Sequence, residues 1–260
     1  MPFFKKLDYD RAAGLYDLLD GSGLPYEEAA RKIATVFQKH NVHTLLDMAC
    51  GTGNFTIPLY RQGYQILGVD FHKGMLTEAR RKALATHARI PFRQGDMCRD
   101  YFGQFDGITC MFNAIGHLTP REFNDALWQF NLQLRKKGIL VFDIFNFSWL
   151  RDHFTYTTFM DQAGKSVGAW FVRFNHNALD ERSKVMRVHQ HTFVQQNRLL
   201  SHYKEEWDMQ TYELRELETL LHLNGFDVLH VWGDYSTKKG FEEFKNDKSR
   251  SITLVAQKNG

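Results

Sequence analysis

The sequence predicts a doubly wound, mostly parallel α/β sheet of seven strands that carries an antiparallel β insertion. Two observations predict it. From Val42 to Phe145, short apolar runs alternate with helix-spaced segments across short connections, the order expected of a parallel sheet covered by helices on both faces. Between Trp149 and Asp208 that helical spacing gives way to β-rich stretches, after which one helix and two strands resume the earlier pattern.

Helical spacing covers Tyr9 to Asp20 and Tyr26 to His40, with Gly21-Ser22-Gly23-Leu24-Pro25 as the turn between them. Val42 to Met48 reads as the first strand, and a helix follows from Asn54, placed as an N-cap, to Gln62, with Gly63 closing it. Next come strand Gln65 to Val69, helix Lys73 to Leu84, strands Ile90 to Gln94 and Gly107 to Met111, helix Arg121 to Leu134 and strand Gly138 to Phe145. In the insertion, Ala169 to Asn175, Lys184 to Phe193 and Leu199 to Trp207 have strand character. Turn-like Asn177-Ala178-Leu179-Asp180 and Gln195-Gln196-Asn197 join them. A helix from Glu213 to Leu223, a stop at Gly225 and strands Phe226 to Trp232 and Ile252 to Gln257 complete the order, the last two as a hairpin adding an antiparallel strand. The expected organisation is a helical cap (1–41), a ligand-binding core (42–148), an inserted lid (149–210) and the completion of the core (211–260).

Composition sets the class. Of 260 residues, 43% are hydrophobic and 24% charged, as in an ordinary globular protein rather than a disordered or fibrous one. With 33 basic and 30 acidic residues scattered along the chain, the net charge of +3 argues against a nucleic-acid or membrane surface. The basic runs Arg80-Arg81-Lys82 and Arg135-Lys136-Lys137 read as helix ends or solvated faces. Cys50, Cys98 and Cys110 form no CxxC pair, which points away from a disulfide framework and toward a reducing, cytoplasmic setting. No stretch reaches the roughly 20 apolar residues of a membrane helix.

The chemistry is concentrated after the first strand, in Asp47-Met48-Ala49-Cys50-Gly51-Thr52-Gly53-Asn54. An apolar strand running through Gly51-Thr52-Gly53 into a helix lets a ligand approach backbone N–H groups at close range. A dinucleotide fingerprint needs a third glycine beside its pyrophosphate, and Thr56 stands there instead. Asp47 offers a carboxylate to a ligand ammonium group. Asp70, at the end of the second strand, suits ribose hydroxyls, with Phe71 placed to cover an adenine ring. Asp96, in Gly95-Asp96-Met97, suits an exocyclic amine. Each aspartate alone reads more readily as a cap or turn residue, and their joint order distinguishes them.

In LLDMACGTGNF, GVDFHKGMLTEAR, FRQGDM, FDGITCMFNAIGHL and LRKKGILVFDIFN, with YELRELETLLHLNGFDV further on, the chain resembles the class I S-adenosylmethionine-dependent methyltransferases, which have a Rossmann-like sheet. The resemblance implies S-adenosylmethionine as cofactor. It places Asp47 and the backbone of Ala49, Cys50, Gly51 and Gly53 at the methionine end, Asp70 at the ribose, Phe71 and Met75 on the adenine faces, Asp96 and Met97 at the adenine edge, and Met111 beside the methionine. It implies in-line methyl transfer to nitrogen or oxygen of a small molecule, the pattern being similar to aminosugar N-methyltransferases and glycine/sarcosine-type enzymes. Such transfer needs positioning and the removal of one proton. His117, after the fourth strand, is the candidate base or a pocket-shaping or helix-capping residue; Tyr9 and Tyr16 are candidates to close over the methyl group or are packing aromatics.

A cofactor-binding regulatory protein without catalysis and an RNA or protein methyltransferase are the alternatives. Met111-Phe112-Asn113-Ala114 lacks the paired prolines expected of base amino-group methylation. His176, His189, His191 and His202 show no metal-ligand spacing, and no metal site is expected. The aromatics Trp170, Phe171, Phe174, Phe193, Tyr203 and Trp207 read by default as sheet packing, or as a lid or a homodimer contact through the insertion.

Overall fold

The computed structural model describes residues 9–10, 13, 16–17, 24–166, 169–196 and 198–260. Of the expected first helix, Tyr9, Asp10, Ala13, Tyr16 and Asp17 are helical, and the rest of Tyr9 to Asp20 lies outside the described residues. Helix α1 (Tyr26–Lys39) has Glu27 and Glu28 in its first turn and Lys39 in its last, the favourable arrangement for the helix dipole. Its Ala29, Ile33, Val36 and Phe37 share a buried face.

The core then alternates as β1 (Thr44–Met48), α2 (Thr56–Arg61), β2 (Gln65–Asp70), α3 (Lys73–Ala85), β3 (Phe92–Gln94), β4 (Phe105–Cys110), α4 (Pro120–Gln133) and β5 (Leu134–Phe145). A short helix α5 (Phe147–His153) leads to the insertion, β6 (Phe159–Ser166), β7 (Ala169–Asp180), β8 (Val185–Gln196) and β9 (Leu199–Gln210). Helix α6 (Leu214–Leu223) and strands β10 (Phe226–Ser236), β11 (Gly240–Glu243) and β12 (Ser251–Lys258) end the chain.

The main sheet has the order β3-β2-β1-β4-β5-β12-β10-β11. Strands β1 to β5 pair in parallel, and β12 lies antiparallel between β5 and β10. Successive residues of β1 face opposite ways, as a pleated strand requires. Leu45 joins Phe37, Ile33, Val141 and Val255 on one face, while Leu46 and Met48 join Phe123, Phe130 and Phe142 on the other. Both layers are shielded from solvent, each large side chain contributing about 1.5–3 kcal/mol of burial. The ligand-facing edge is therefore the C-terminal end of β1, β2 and β4, where the order of strands reverses.

Several expectations need correction. Among the described residues the sheet has eight strands rather than seven, because Gly240–Glu243 pairs with the end of β10 as an added edge. Strand β5 begins at Leu134, four residues early; Lys137, at φ +58°, marks the irregularity by which a polar start joins the apolar run. Asn54 does not cap α2: Phe55 precedes that helix, and the Asn54 amide donates to Asp17 instead. In the insertion, Asn177-Ala178-Leu179-Asp180 belongs to β7, and the turn falls at residues 181–184. Asp180 fixes it by accepting from Arg182 N at 3.0 Å and Ser183 Oγ at 2.8 Å. Gln195 and Gln196 extend β8, Asn197 lies outside the described residues, and β6 makes the insertion a four-stranded sheet.

Candidate active site

Backbone conformation opens the loop after β1. Ala49, Gly51 and Gly53 all have positive φ (56°, 54° and 78°), so alternate peptide units turn away from the helical direction. A Cβ on Gly51 would meet nothing within 4 Å, while one on Gly53 would stand 3.4 Å from Ala79 on α3. Gly51 thus borders open space and Gly53 seats the loop on the neighbouring helix. That space is a cavity of about 280 Å³ between the loop, the ends of β2 and β4, and the leading helical residues Tyr9 and Tyr16.

Asp70 ties the loop to β2. One carboxylate oxygen accepts from Gly51 N at 2.8 Å and the other from His72 N at 2.8 Å, with further lone pairs left for a ligand diol. Burial pushes its carboxyl up, opposed by those two N–H groups. Phe71 is 61% exposed beside it, a bare aromatic face at the cavity mouth, whereas Met75 is fully buried behind. Asp96 is half-buried and accepts from Cys98 N at 2.8 Å, forming an Asx turn that aims the following backbone at the cavity. Met97 and Met111 also line the wall.

Asp47 lies beneath the loop rather than on its surface. It is 2% exposed, and its oxygens accept from Thr56 Oγ1 at 2.5 Å and Thr109 Oγ1 at 2.7 Å. Thr56, which departs from the dinucleotide pattern, is thus one of its two hydroxyl partners. Burial pushes the Asp47 carboxyl up to about 6, against the pull of the two hydroxyls. Such a raised value adds stability that is fully present below the ordinary carboxylate range and is lost as pH rises through about 6. Asp47→Asn is therefore expected to gain on the wild type between pH 5 and pH 7.5 by an amount on the order of 2 kcal/mol, or several degrees in Tm. Thermal melts of both proteins across that range check it; a pH-independent difference would show that Asp47 titrates normally.

Cys50 lines the cavity. Its thiol, pushed well up by burial, belongs to a cluster with Leu76, Ala79, Ala83 and Phe92.

The leading helical residues are bound to the loop by a polar cluster that sequence reasoning missed. Asp17 accepts from Thr52 Oγ1 at 2.6 Å and Asn54 Nδ2 at 2.8 Å and pairs with Lys82 Nζ at 2.8 Å. Lys82, expected on a solvated face, is drawn inward and also donates to Thr52 and Asn54. Asp10 accepts from Gly74 N at 2.5 Å, holding the same residues over the start of α3. Arg135, by contrast, stays half-exposed and pairs with Asp106 at 2.6 Å.

Tyr9 and His117 come together across the cavity, Tyr9 Oη lying 2.9 Å from His117 Nε2 with the rings edge-on at 5.5 Å. Tyr16 stands 6.1 Å from Tyr9, ring centre to ring centre. His117 ends a single 3-10 turn (Ala114–His117) and does not cap α4; Thr119 does, in a reciprocal capping box with Glu122. In the insertion, His191 and His202 pair at 2.9 Å and His189 lies 3.7 Å from Glu206, away from the cavity lining.

The donor set suits a cation with a nucleoside. Among the described residues, five carboxylates, on Asp47, Asp70, Asp96, Glu122 and Asp125, border the cavity against one guanidinium, Arg99, which leans toward Asp96 at 3.7 Å. A pyrophosphate would be repelled there, whereas a ligand bearing a sulfonium and an ammonium group is attracted. Gly51 leaves room for its close approach.

Comparison with known proteins agrees with this geometry. A methyltransferase domain family matches residues 45–138. A Bacillus subtilis (strain 168) protein named as a methyltransferase, YqeM, is 28% identical over 255 residues, 94% of this chain and 98% of its own. The dTDP-3-amino-3,6-dideoxy-alpha-D-glucopyranose N,N-dimethyltransferase of Streptomyces fradiae is 27% identical over 83% of this chain and 84% of its own. An S-adenosylmethionine-dependent methyltransferase structure from Clostridium acetobutylicum superposes with a TM-score of 0.81 at 20% identity, covering 97% of this chain and 99% of that one. With its sheet order, its glycine loop and these relatives, the chain has the Rossmann-like fold of the class I S-adenosylmethionine-dependent methyltransferases and carries a methyltransferase domain over residues 45–138.

Proposed function

We propose that the chain methylates a nitrogen of a small-molecule acceptor, with an amino-sugar amine the favoured class. The Tyr9–His117 pair carries the reading: a phenol and an imidazole, hydrogen-bonded at 2.9 Å, border the cavity where the leading helix meets the end of β4. When bound, S-adenosylmethionine supplies an electrophilic methyl on a sulfonium. Asp70 holds the ribose, Phe71 and Met75 sandwich the adenine, and Asp96 with the Met97 backbone reads its edge. Asp47 attracts the ammonium end from below the loop, and Ala49, Gly51 and Gly53 present the backbone to it. His117 takes the proton released by the acceptor nitrogen, with Tyr9 holding the imidazole in line. The Streptomyces fradiae relative, which acts on an amino sugar, supports the acceptor class.

Calorimetric titration with S-adenosylmethionine and S-adenosylhomocysteine tests the cofactor site, and micromolar binding of both is expected. Radiolabelled methyl transfer to a panel of dTDP-linked amino sugars, glycine and sarcosine tests the acceptor. Transfer to the amino sugars is the expected result. Cofactor binding without transfer to any amine, in the panel or in a metabolite extract, would make the chain a binding protein.

A further inference from the structure

Beyond the residues that touch a ligand, a buried carboxylate and a partly buried tyrosine hold the cavity wall in an uncommon shape. Phe112 and Asn113 follow β4, and both have positive φ, at 63° and 59°. Left-handed backbone costs about 1–3 kcal/mol per non-glycine residue, so two in succession persist only where surrounding groups hold them. Asp143 on β5 and Tyr235 on β10 supply that hold. Asp143 is 2% exposed, and its two carboxylate oxygens receive Asn113 N at 3.2 and 3.1 Å. The Tyr235 hydroxyl donates to the same carboxylate and accepts from Phe112 N at 3.2 Å. Asn113 closes the arrangement through Oδ1, which accepts from Phe145 N at 2.9 Å.

The consequence reaches the cavity through Phe112. Its ring stacks on Tyr235 at 5.0 Å with planes 13° apart and meets Tyr26 at 4.7 Å and Phe55 at 5.6 Å. Phe112, Tyr26 and Phe55 form an aromatic wall of the cavity, and Asn113 is the residue from which the turn to His117 starts. Aromatic faces attract cations, so the wall's placement bears on a sulfonium more than on a neutral thioether.

We infer that Asp143 and Tyr235 are positioning residues, which lock Phe112 and Asn113 in the left-handed conformation and so hold the aromatic wall ready for the cationic cofactor. This rests on the proposed function, in which the sulfonium-bearing cofactor occupies the cavity that Phe112 lines. Without the lock the segment relaxes, only a fraction of molecules keeps the competent wall, and apparent affinity falls by that fraction.

The test is calorimetry of Tyr235→Phe, Asp143→Ala and Asp143→Asn with S-adenosylmethionine and S-adenosylhomocysteine, each variant checked for folding by circular dichroism. Tyr235→Phe and Asp143→Ala are expected to lose about tenfold in affinity for S-adenosylmethionine, the size set by one buried group left unsatisfied. Less should be lost for S-adenosylhomocysteine. Asp143→Asn, whose Oδ1 still accepts from Asn113 N and whose amide N–H can donate to the Tyr235 hydroxyl oxygen, is expected to stay within about threefold. Folded Tyr235→Phe and Asp143→Ala with wild-type affinity, or equal losses for both ligands, would overturn the inference. Amide hydrogen exchange of the wild type gives a check that needs no variant: Phe112 and Asn113 N–H should be protected, and rapid exchange at both would also overturn it. Failure of the wild type to bind either ligand would instead overturn the proposed function, leaving the amide measurement to report on the lock.

Discussion

Asp70→Ala is expected to lower S-adenosylmethionine affinity by about 150-fold while leaving the protein folded. The carboxylate accepts from Gly51 N and His72 N, and in the proposed complex its remaining lone pairs take the two ribose hydroxyls. A hydrogen bond to a charged acceptor is worth about 1.5–3 kcal/mol, so two such bonds lost amount to roughly 3 kcal/mol at the lower bound. The glycine loop adds to the loss, because Gly51 N no longer has a fixed acceptor on β2. Asp70→Asn separates the two contributions: it retains one acceptor oxygen for the loop but presents an amide to one side of the diol. Its expected loss is nearer tenfold. Calorimetric affinities for both variants check this, and wild-type binding by Asp70→Ala would move the ribose away from β2.

The fold was legible where local and tertiary signals agree. An apolar strand, a glycine turn and an amphipathic helix announce themselves within a dozen residues, which is why β1 through α4 appear near their expected positions. Strand β6 was missed because its residues Asp161, Gln162, Gly164 and Lys165 lack the apolar alternation by which strands are read. The start of β5 was hidden for a similar reason, since Arg135-Lys136-Lys137 has the composition of a helix end. In the site, Asp47, Asp70 and Asp96 lie at strand ends beside the loop and could be read from order alone. Lys82 could not, because a lysine on an amphipathic helix looks solvated until Asp17 is placed opposite it. Nor could the positive φ of Phe112, to which a bulky ring is no guide, although Asn113 beside it is of a type that visits the left-handed region. Asp143 did leave a trace: a lone carboxylate in the otherwise apolar Gly138–Phe145 run calls for a buried partner.

His117→Ala is expected to reduce the rate of methyl transfer by about 10²-fold or more, the lower range for loss of a positioned base, with little change in cofactor affinity. The imidazole is carried at the end of the 3-10 turn, on the same side of the cavity as Leu118 and Ala114, and Tyr9 Oη approaches its Nε2 to 2.9 Å. In the proposed complex the acceptor nitrogen would replace or extend that hydrogen bond, and the proton would leave along a path already occupied by a hydroxyl. Tyr9→Phe keeps the ring that packs against His117 and removes only the hydroxyl, and a loss of about threefold to tenfold is expected from one hydrogen bond. His117→Gln retains a polar group of similar reach but no base of comparable strength, and should resemble His117→Ala in rate. Steady-state kinetics with the acceptor found in the panel distinguish the two roles of this residue. Equal activity of His117→Gln and wild type would make His117 a pocket-shaping group and leave proton removal to solvent, whereas a shared loss in both substitutions assigns the proton to its imidazole.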